Sequence, residues 1–141
     1  MPSFSHSIDI SRPPEAVFPW LLEEDKVPQW TTELDAYVVR GPLGQGALVV
    51  QTLSVGGGLK LELEITRYEP PRRAESRAET NGVNLSIAYE LAPTGVGTSL
   101  TQSLDAKASG FTARMLIPVV QGRLEKKLVE DLRRLKGVLE G

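Results

Sequence analysis

The chain has 141 residues, enough for one domain with a full core, and its 16 basic and 18 acidic residues give a net charge of −2. This balance provides no general attraction to nucleic acid or to an anionic membrane surface. There is no cysteine for disulfides, no apolar run long enough for stable membrane insertion and no signal-peptide pattern. We therefore expect a cytoplasmic protein in which residues 1–141 form a single domain, as a monomer or homodimer.

The N-terminal segment alternates between apolar and polar residues. Its apolar phase consists of Phe4, His6, Ile8 and Ile10. This period of two predicts a strand with one buried face, and it places His6 on the inner side. Ser11 is then a candidate N-cap for a short helix, because the following Pro13-Pro14 pair suits a first helical turn. A second short helical turn is predicted over residues 25–30, where Pro28 limits its length.

Six further strands are predicted between this region and the C-terminal helix. They cover residues 34–40, 47–55, 59–65, 72–79, 83–91 and 98–104. Turn sequences separate them at residues 41–46, 56–58, 81–82 and 93–97. Consecutive strands joined by tight turns pair antiparallel, so these segments predict an antiparallel sheet.

Alternation also predicts which side chains of these strands face inward. The clearest strand is 59–65, whose apolar phase includes Leu61 and Leu63. The strand at 72–79 has small inner residues, namely Ala74, Ser76 and Ala78. The inner sides of the last two strands include Ile87, Tyr89, Leu100 and Gln102.

Residues 112–140 read as one long amphipathic helix. Apolar residues recur at steps of three or four, at Ile117, Val120, Leu124, Leu128, Leu132, Leu135 and Leu139. Charged residues fill the other positions, which we interpret as a polar opposite face: Arg123, Glu125, Lys126, Lys127, Glu130, Asp131, Arg133, Arg134 and Lys136. Residues 111–120 are apolar nearly all round, and Pro118 should bend or interrupt the helix there.

The order of elements predicts an α+β fold. A curved seven-stranded antiparallel sheet grips the long C-terminal helix, and two short helices lie between strands 1 and 2. A helix is about 10 Å across, whereas seven strands span roughly 30 Å, so the sheet must curl around it. If the small inner residues do not fill the remaining volume, an apolar cavity results, which is typical of a small-molecule site.

The chain resembles the SRPBCC superfamily, also called START-like or helix-grip proteins, which includes polyketide cyclase/dehydrase-type domains. The residues that carry the resemblance are Ile8-x-Ile10-x-Arg12-Pro13-Pro14-Glu15-x-Val17-Phe18-x-Trp20-Leu21, Trp30, Gly41-Pro42-Leu43-Gly44-x-Gly46, Gly97-Thr98-x-Leu100-Thr101 and Leu132-x-x-Leu135-Lys136-x-x-Leu139-Glu140. The resemblance covers nearly the whole chain. It implies a helix-grip fold and binding of lipids, polyketides or other apolar molecules, with catalysis in some members.

Polar residues at inward positions are candidates for ligand contact, each with a structural alternative. His6 is either an acid–base or anchoring group, or a half-exposed histidine at a strand end. Tyr89 and Gln102 either orient a ligand or bond to each other, to water or to backbone. Trp20 and Trp30 flank the short helices; one of them lines the pocket mouth, or both only pack these helices onto the sheet.

The start of the long helix is a candidate wall and gate of the cavity. We expect this wall and gate at residues 115–122, because Met115 is adaptable and Gly122 leaves room. The alternative is that this apolar start plugs the sheet or meets a second subunit. The predicted ligand-contact set is therefore His6, Trp30, Leu61, Leu63, Ile87, Tyr89, Leu100, Gln102, Met115, Val119 and Gly122.

Several kinds of chemistry find no support in the sequence. The glycine-containing turn at 41–46 joins two strands and lacks a following Gly-Lys-Ser/Thr, so it is no P-loop. No Gly-x-Ser-x-Gly nucleophile motif is present. One histidine and no cysteine argue against a transition-metal site and exclude the members of the superfamily that carry a Rieske centre. We expect no cofactor and no metal.

Three functions remain open. The first is binding of an apolar small molecule, such as a lipid, polyketide or aromatic compound, between the sheet and the C-terminal helix. The second is a polyketide cyclase/dehydratase-type enzyme that uses the same cavity, where positioning and one acid–base group could suffice. The third is an interaction module that works through its surface without a ligand.

Overall fold

The computed structural model describes the backbone of residues 3–54, 58–80 and 82–141, and the side chains at 111–113 and 116–121 lie outside the described part. The strands in it are β1 Ser3–Ile10, β2 Leu34–Arg40, β3 Leu48–Leu53, β4 Leu59–Glu69, β5 Arg73–Thr80, β6 Val83–Pro93 and β7 Thr98–Ala108. The helices are α1 Pro14–Val17, α2 Pro19–Leu22, a short 3-10 helix Val27–Gln29, and α3 Phe111–Glu140.

All the strands belong to one antiparallel sheet. Its order is β1-β7-β6-β5-β4-β3-β2, so the first strand pairs with the last and the others follow as a meander. Register shifts occur between Leu34 and Ala36 in β2 and between Ile65 and Arg67 in β4. Such irregularities bend a strand and increase its twist. With the short helices after β1 and the long helix at the end, the predicted α+β fold is confirmed.

Strand burial follows the predicted alternation. In β4, Leu61, Leu63 and Ile65 are buried while the intervening Glu62 and Glu64 are exposed. In β5 the small residues Ala74, Ser76 and Ala78 are buried, as predicted. Thr80 pairs with Val83, which confirms a two-residue connection at positions 81–82; Gly82 has φ +79°, and Asn81 lies outside the described residues.

The region between β1 and β2 differs from the prediction in detail. Pro13, rather than Ser11, occupies the N-cap of α1, and Pro19 begins a separate helix α2. Each of these helices has a proline at its first position, where the missing amide hydrogen costs little. The backbone N–H of Ser11 instead donates to Glu140 Oε2 over 2.8 Å. The predicted second turn is confirmed as the 3-10 helix.

The long helix α3 runs without interruption through Pro118. The prediction that this proline could interrupt the helix was therefore wrong. A proline removes a single intrahelical hydrogen bond, and the bonds on either side are enough to carry the helix past it. The C-terminal turns of α3 are tied to the end of β1: Lys136 Nζ donates to the carbonyl of Asp9 over 2.6 Å, and Glu140 accepts from Ser11. The helix packs most closely against β1 and β7.

One end of the layer between sheet and helix is completely packed. We call it the packed end and define it by five residues that are at most 1% exposed, namely Ile10, Thr98, Leu100, Leu132 and Leu135. Thr98 Oγ1 donates to the carbonyl of Arg12 over 2.7 Å. At Gly97 a Cβ atom would lie 2.1 Å from the carbonyl oxygen of Ile10, so this close approach requires glycine.

Candidate functional site

A partly open cavity of about 100 Å³ lies between the inner face of the sheet and α3. Its wall is mostly apolar and includes Leu21, Leu22, Val27, Trp30, Tyr37, Val49, Leu53, Leu61, Leu63, Leu85, Ile87, Leu104, Leu124 and Leu128. Three of these are only half-buried, namely Ile87 and Leu104 on the sheet and Leu124 on the helix itself. Because these three residues also line the cavity, the hydrophobic core is incompletely filled here. We call this region the cavity end.

Regular secondary structure sets the positions of the lining residues. The strands contribute alternate residues, for example Leu61 and Leu63 from β4, because successive side chains point to opposite faces. The helix contributes Leu124, Lys127, Leu128 and Asp131, which are spaced three, four and seven residues from the first. That spacing puts them on one face of α3. Two of the four are charged, which the leucine stripe alone does not predict.

Lys127 and Asp131 form a buried ion pair in the cavity wall. Their side chains are 8% and 6% exposed. Lys127 Nζ donates to Asp131 Oδ2, while Asp131 Oδ1 accepts from the backbone N–H and the hydroxyl of Thr32, over 2.8 and 2.6 Å. A buried charge is tolerated when it is paired and hydrogen-bonded, and this carboxylate has three donors. The interpretation of Lys127 and Asp131 as part of a polar outer face was therefore wrong.

These bonds also hold the segment after the 3-10 helix against α3. Arg134 Nε donates to the carbonyl of Trp30 over 3.3 Å, and Arg123 forms an ion pair with Glu33 at 3.0 Å. Trp30 itself is buried, and its Nε1 donates to the carbonyl of Trp20 over 2.8 Å. Trp30 thus both packs the short helices and lines the cavity.

Two tyrosines contribute hydroxyl groups to the cavity wall. Tyr37 donates to the carbonyl of Leu22 over 2.7 Å, whereas Tyr89 accepts from Gln102 Nε2 over 3.3 Å. Burial raises the pKa of both phenols far above its ordinary value; the negative charge of Asp131 raises the pKa of Tyr89 further. Both hydroxyls therefore keep their protons near neutral pH. The Tyr89–Gln102 bond is the structural alternative that the sequence left open.

A buried hydroxyl without a partner lies in the same wall. Thr31 Oγ1 is shielded from solvent, and no group in the described part of the chain makes a hydrogen bond with it. Gln51 and Ser76 add two more polar side chains to the lining. Most buried polar groups in proteins have a partner, so an unpaired hydroxyl at a cavity requires an explanation.

The predicted ligand-contact residues divide into three groups. Those that line the cavity are Trp30, Leu61, Leu63, Ile87, Tyr89 and Gln102. Those that lie away from it are His6, Leu100, Met115 and Gly122. Val119 has its side chain outside the described part of the chain.

Each residue of the second group is placed elsewhere for a visible reason. His6 lies on the edge strand β1, opposite Gln102, and is half-buried. Leu100 belongs to the packed end. Met115 is 62% exposed, and a Cβ atom on Gly122 would meet open space. The described part of the predicted wall and gate at the start of α3 thus lies away from this cavity.

Lys127 and Asp131 line the cavity but were not predicted from the sequence to do so, although the position of Asp131 on the helix is a signal for it. With 100° per residue, Asp131 lies only about 60° around the helix from Leu128, inside the apolar stripe. Oppositely charged residues four positions apart usually form exposed pairs on a helix, so the spacing of Lys127 and Asp131 favoured the solvent. Thr32, which supplies two donors, is distant in sequence and close only in the fold.

Neither a metal site nor a membrane span is found among the described residues. No group of three or more His, Cys, Asp or Glu side chains could hold a metal ion there. In the same part of the chain, no helix combines the length and the apolar character needed to cross a membrane.

Residues 1–140 match the family model described as polyketide cyclase/dehydrase and lipid transport. The chain belongs to this family. The resemblance to SRPBCC proteins that its motifs suggested is thereby confirmed. A sequence comparison with curated proteins finds no significant match.

Solved structures with little sequence similarity share the fold. The di-domain ARO/CYC StfQ from the steffimycin biosynthetic pathway has a TM-score of 0.80 at 13% identity over 98% of this chain, which spans 50% of that protein. TTHA0849 from Thermus thermophilus has a TM-score of 0.80 at 16% identity, and the alignment covers 96% of this chain and 95% of that protein. Ara h 8.0201 has a TM-score of 0.77 at 14% identity, and the alignment covers 97% of this chain and 96% of that protein. At these identities the similarity extends to the fold.

Proposed function

We propose that this member of the family binds an apolar small molecule in the cavity between the sheet and α3. The observation that carries the proposal is the half-buried state of Ile87, Leu104 and Leu124 around a partly open cavity. Covering such surface with a ligand removes it from water, which gains about 25 cal/mol for each Å² of apolar area. The family description, which includes lipid transport, supports the same class of ligand.

A matched pair of tryptophan substitutions on β6 tests this proposal. Ile87 faces the cavity, while its neighbour Ser86 is exposed on the other face of the sheet. Ile87→Trp should fill the cavity and weaken binding of tetralin, a compact bicyclic hydrocarbon, by at least about tenfold, whereas Ser86→Trp should bind it like the wild type. Ligand-observed NMR measures the affinity, and circular dichroism verifies that both variants are folded. Equal binding by two folded variants would overturn the proposal.

A reaction on the bound molecule is the second candidate function. It is favoured by the buried cluster of Lys127, Asp131 and Tyr89, because proton donors and charges in a water-poor wall can act on a substrate. The test is hydrogen–deuterium exchange next to the carbonyl of α-tetralone, the ketone that corresponds to tetralin. Exchange that is accelerated by the wild type and abolished in Tyr89→Phe supports an enzyme. Exchange at the rate of buffer alone counts against it and leaves ligand binding as the function.

A further inference from the structure

The polar part of the cavity wall contains hydrogen-bond donors that have no acceptor among the described groups. An ammonium group has three donors, and Lys127 Nζ uses one of them on Asp131 Oδ2. No other described group accepts from it, and its side chain is too deeply buried for free hydration. Asp131 already accepts three hydrogen bonds and has little remaining capacity. Lys127 therefore brings unused donors to the cavity.

Tyr89 and Thr31 add two hydroxyl groups to these donors. The Tyr89 oxygen accepts from Gln102, and among the described groups no acceptor receives its own hydroxyl hydrogen. The phenol stays protonated because burial and Asp131 both raise its pKa. Thr31 Oγ1 has no partner within the described part. A donor left without an acceptor in a buried site costs about 1–3 kcal/mol, so an acceptor on a ligand would be bound there favourably.

The charge of this wall limits which acceptor fits. The Lys127 ammonium is neutralised by Asp131, so the pair has no net charge to offer an anion. A carboxylate in the cavity would lose its hydration and lie near the Asp131 carboxylate. A carbonyl oxygen avoids both costs and still accepts two hydrogen bonds.

We infer that the ligand carries an uncharged carbonyl oxygen and that Lys127 and Tyr89 bind it by donating hydrogen bonds. The inference rests on the proposed function and narrows its ligand from any apolar molecule to a ketone, lactone or similar carbonyl compound. Lys127 and Tyr89 determine this specificity, while Asp131 positions the ammonium group and holds Thr32.

The pair also has a structural role that the test must separate from recognition. Removing Lys127 alone would leave Asp131 buried and charged, which destabilises the fold. The double variant Lys127→Met/Asp131→Asn removes both charges, and the asparagine oxygen can still accept from Thr32. Tyr89→Phe removes only the hydroxyl. Lys126→Met is the matched control, because Lys126 is the exposed neighbour on the same helix.

The measured quantity is the ratio of the tetralin Kd to the α-tetralone Kd, which isolates the contribution of the carbonyl. Relative to the wild type, we expect this ratio to fall about tenfold in the double variant and by a smaller factor in Tyr89→Phe. It should stay unchanged in Lys126→Met. Tetralin-1-carboxylate, which carries a charged carboxylate on the same ring system, should bind the wild type more weakly than α-tetralone does.

The outcomes distinguish the inference from the function on which it rests. An unchanged ratio in both the double variant and Tyr89→Phe would overturn the inference while leaving the cavity a binding site. Tighter binding of the carboxylate than of the ketone would overturn it as well. If neither tetralin nor α-tetralone binds the wild type, the proposed function fails and the inference fails with it.

Discussion

The two ends of the layer between the sheet and α3 use the same elements and differ in how they are filled. At the packed end, Leu132 and Leu135 of the helix and Leu100 of β7 are fully buried. At the cavity end, Leu124 of the helix and Ile87 and Leu104 of the sheet are half-buried around open volume. The comparison shows that one amphipathic helix can anchor a fold with one part and line a cavity with another.

Polar residues mark the boundary between the two ends. Asp131 lies next to Leu132 in sequence, yet it belongs to a polar cluster with Lys127 and Thr32. Charged side chains cannot fill a core as leucine does, since they need partners and leave their surroundings less tightly packed. Stability should therefore depend most on the packed end and on the integrity of this cluster, while ligand affinity should depend on the cavity end.

The largest effect on stability is expected from breaking the ion pair on one side. Asp131→Ala removes the acceptor of Lys127 and of both Thr32 donors, and should lower the free energy of unfolding by about 3–5 kcal/mol. Lys127→Met/Asp131→Asn should cost much less, because it leaves no unpaired charge. Urea denaturation of the two variants provides the measurement. Equal losses would contradict the idea that the unpaired ammonium dominates the cost.

The next largest effect on stability is the difference between leucines at the packed end and the cavity end of the same helix. Leu132→Ala should lower the free energy of unfolding by about 3 kcal/mol, since it creates a void in a closed core. Leu124→Ala should cost only about 1 kcal/mol, because Leu124 is half-buried and already borders open volume. Denaturation of both variants under one set of conditions tests the difference. Similar losses would show that the cavity end is as tightly packed as the other.

The smallest effect concerns alkaline pH. Tyr37 and Tyr89 have a folded-state pKa raised above the ordinary value of 10.0, with burial as the main cause. Their stabilising contribution is complete below pH 10 and is lost as the pH rises further, because the unfolded chain then releases protons that the folded chain retains. Each tyrosine should lower the free energy of unfolding by about 1 kcal/mol between pH 10 and 11. The Tyr37→Phe/Tyr89→Phe variant should lose less stability than the wild type over that interval; identical slopes would contradict the assignment.

Much of the fold could be predicted from local patterns. The alternation in β4 and β6 identified Leu61, Leu63, Ile87 and Tyr89 as inward-facing, and these residues line the cavity. The period of α3 identified the leucines that are buried at the packed end. These predictions succeed because a strand or a helix has a fixed period, so burial of one face is visible in the sequence.

The rest depended on contacts between distant segments. The burial of Lys127 and Asp131 requires Thr32, which approaches α3 only after the sheet and the short helices have formed. Position along a helix also gave no indication of where the cavity would lie. Met115 and Gly122 were expected at its wall because they are adaptable and small, yet the described lining residues of the helix lie further along, from Leu124 to Asp131.

The most direct test of the proposed binding site is a titration of isotopically labelled protein with α-tetralone, followed by amide NMR. We predict that the largest shift changes occur at the cavity end, around Leu61, Ile87 and Lys127, while Ile10 and Leu100 at the packed end stay unaffected. Ile87→Trp should abolish these changes and Ser86→Trp should preserve them. Changes that are confined to the packed end or to the outer face of the sheet, and that persist in Ile87→Trp, would contradict the assignment of this cavity as the binding site.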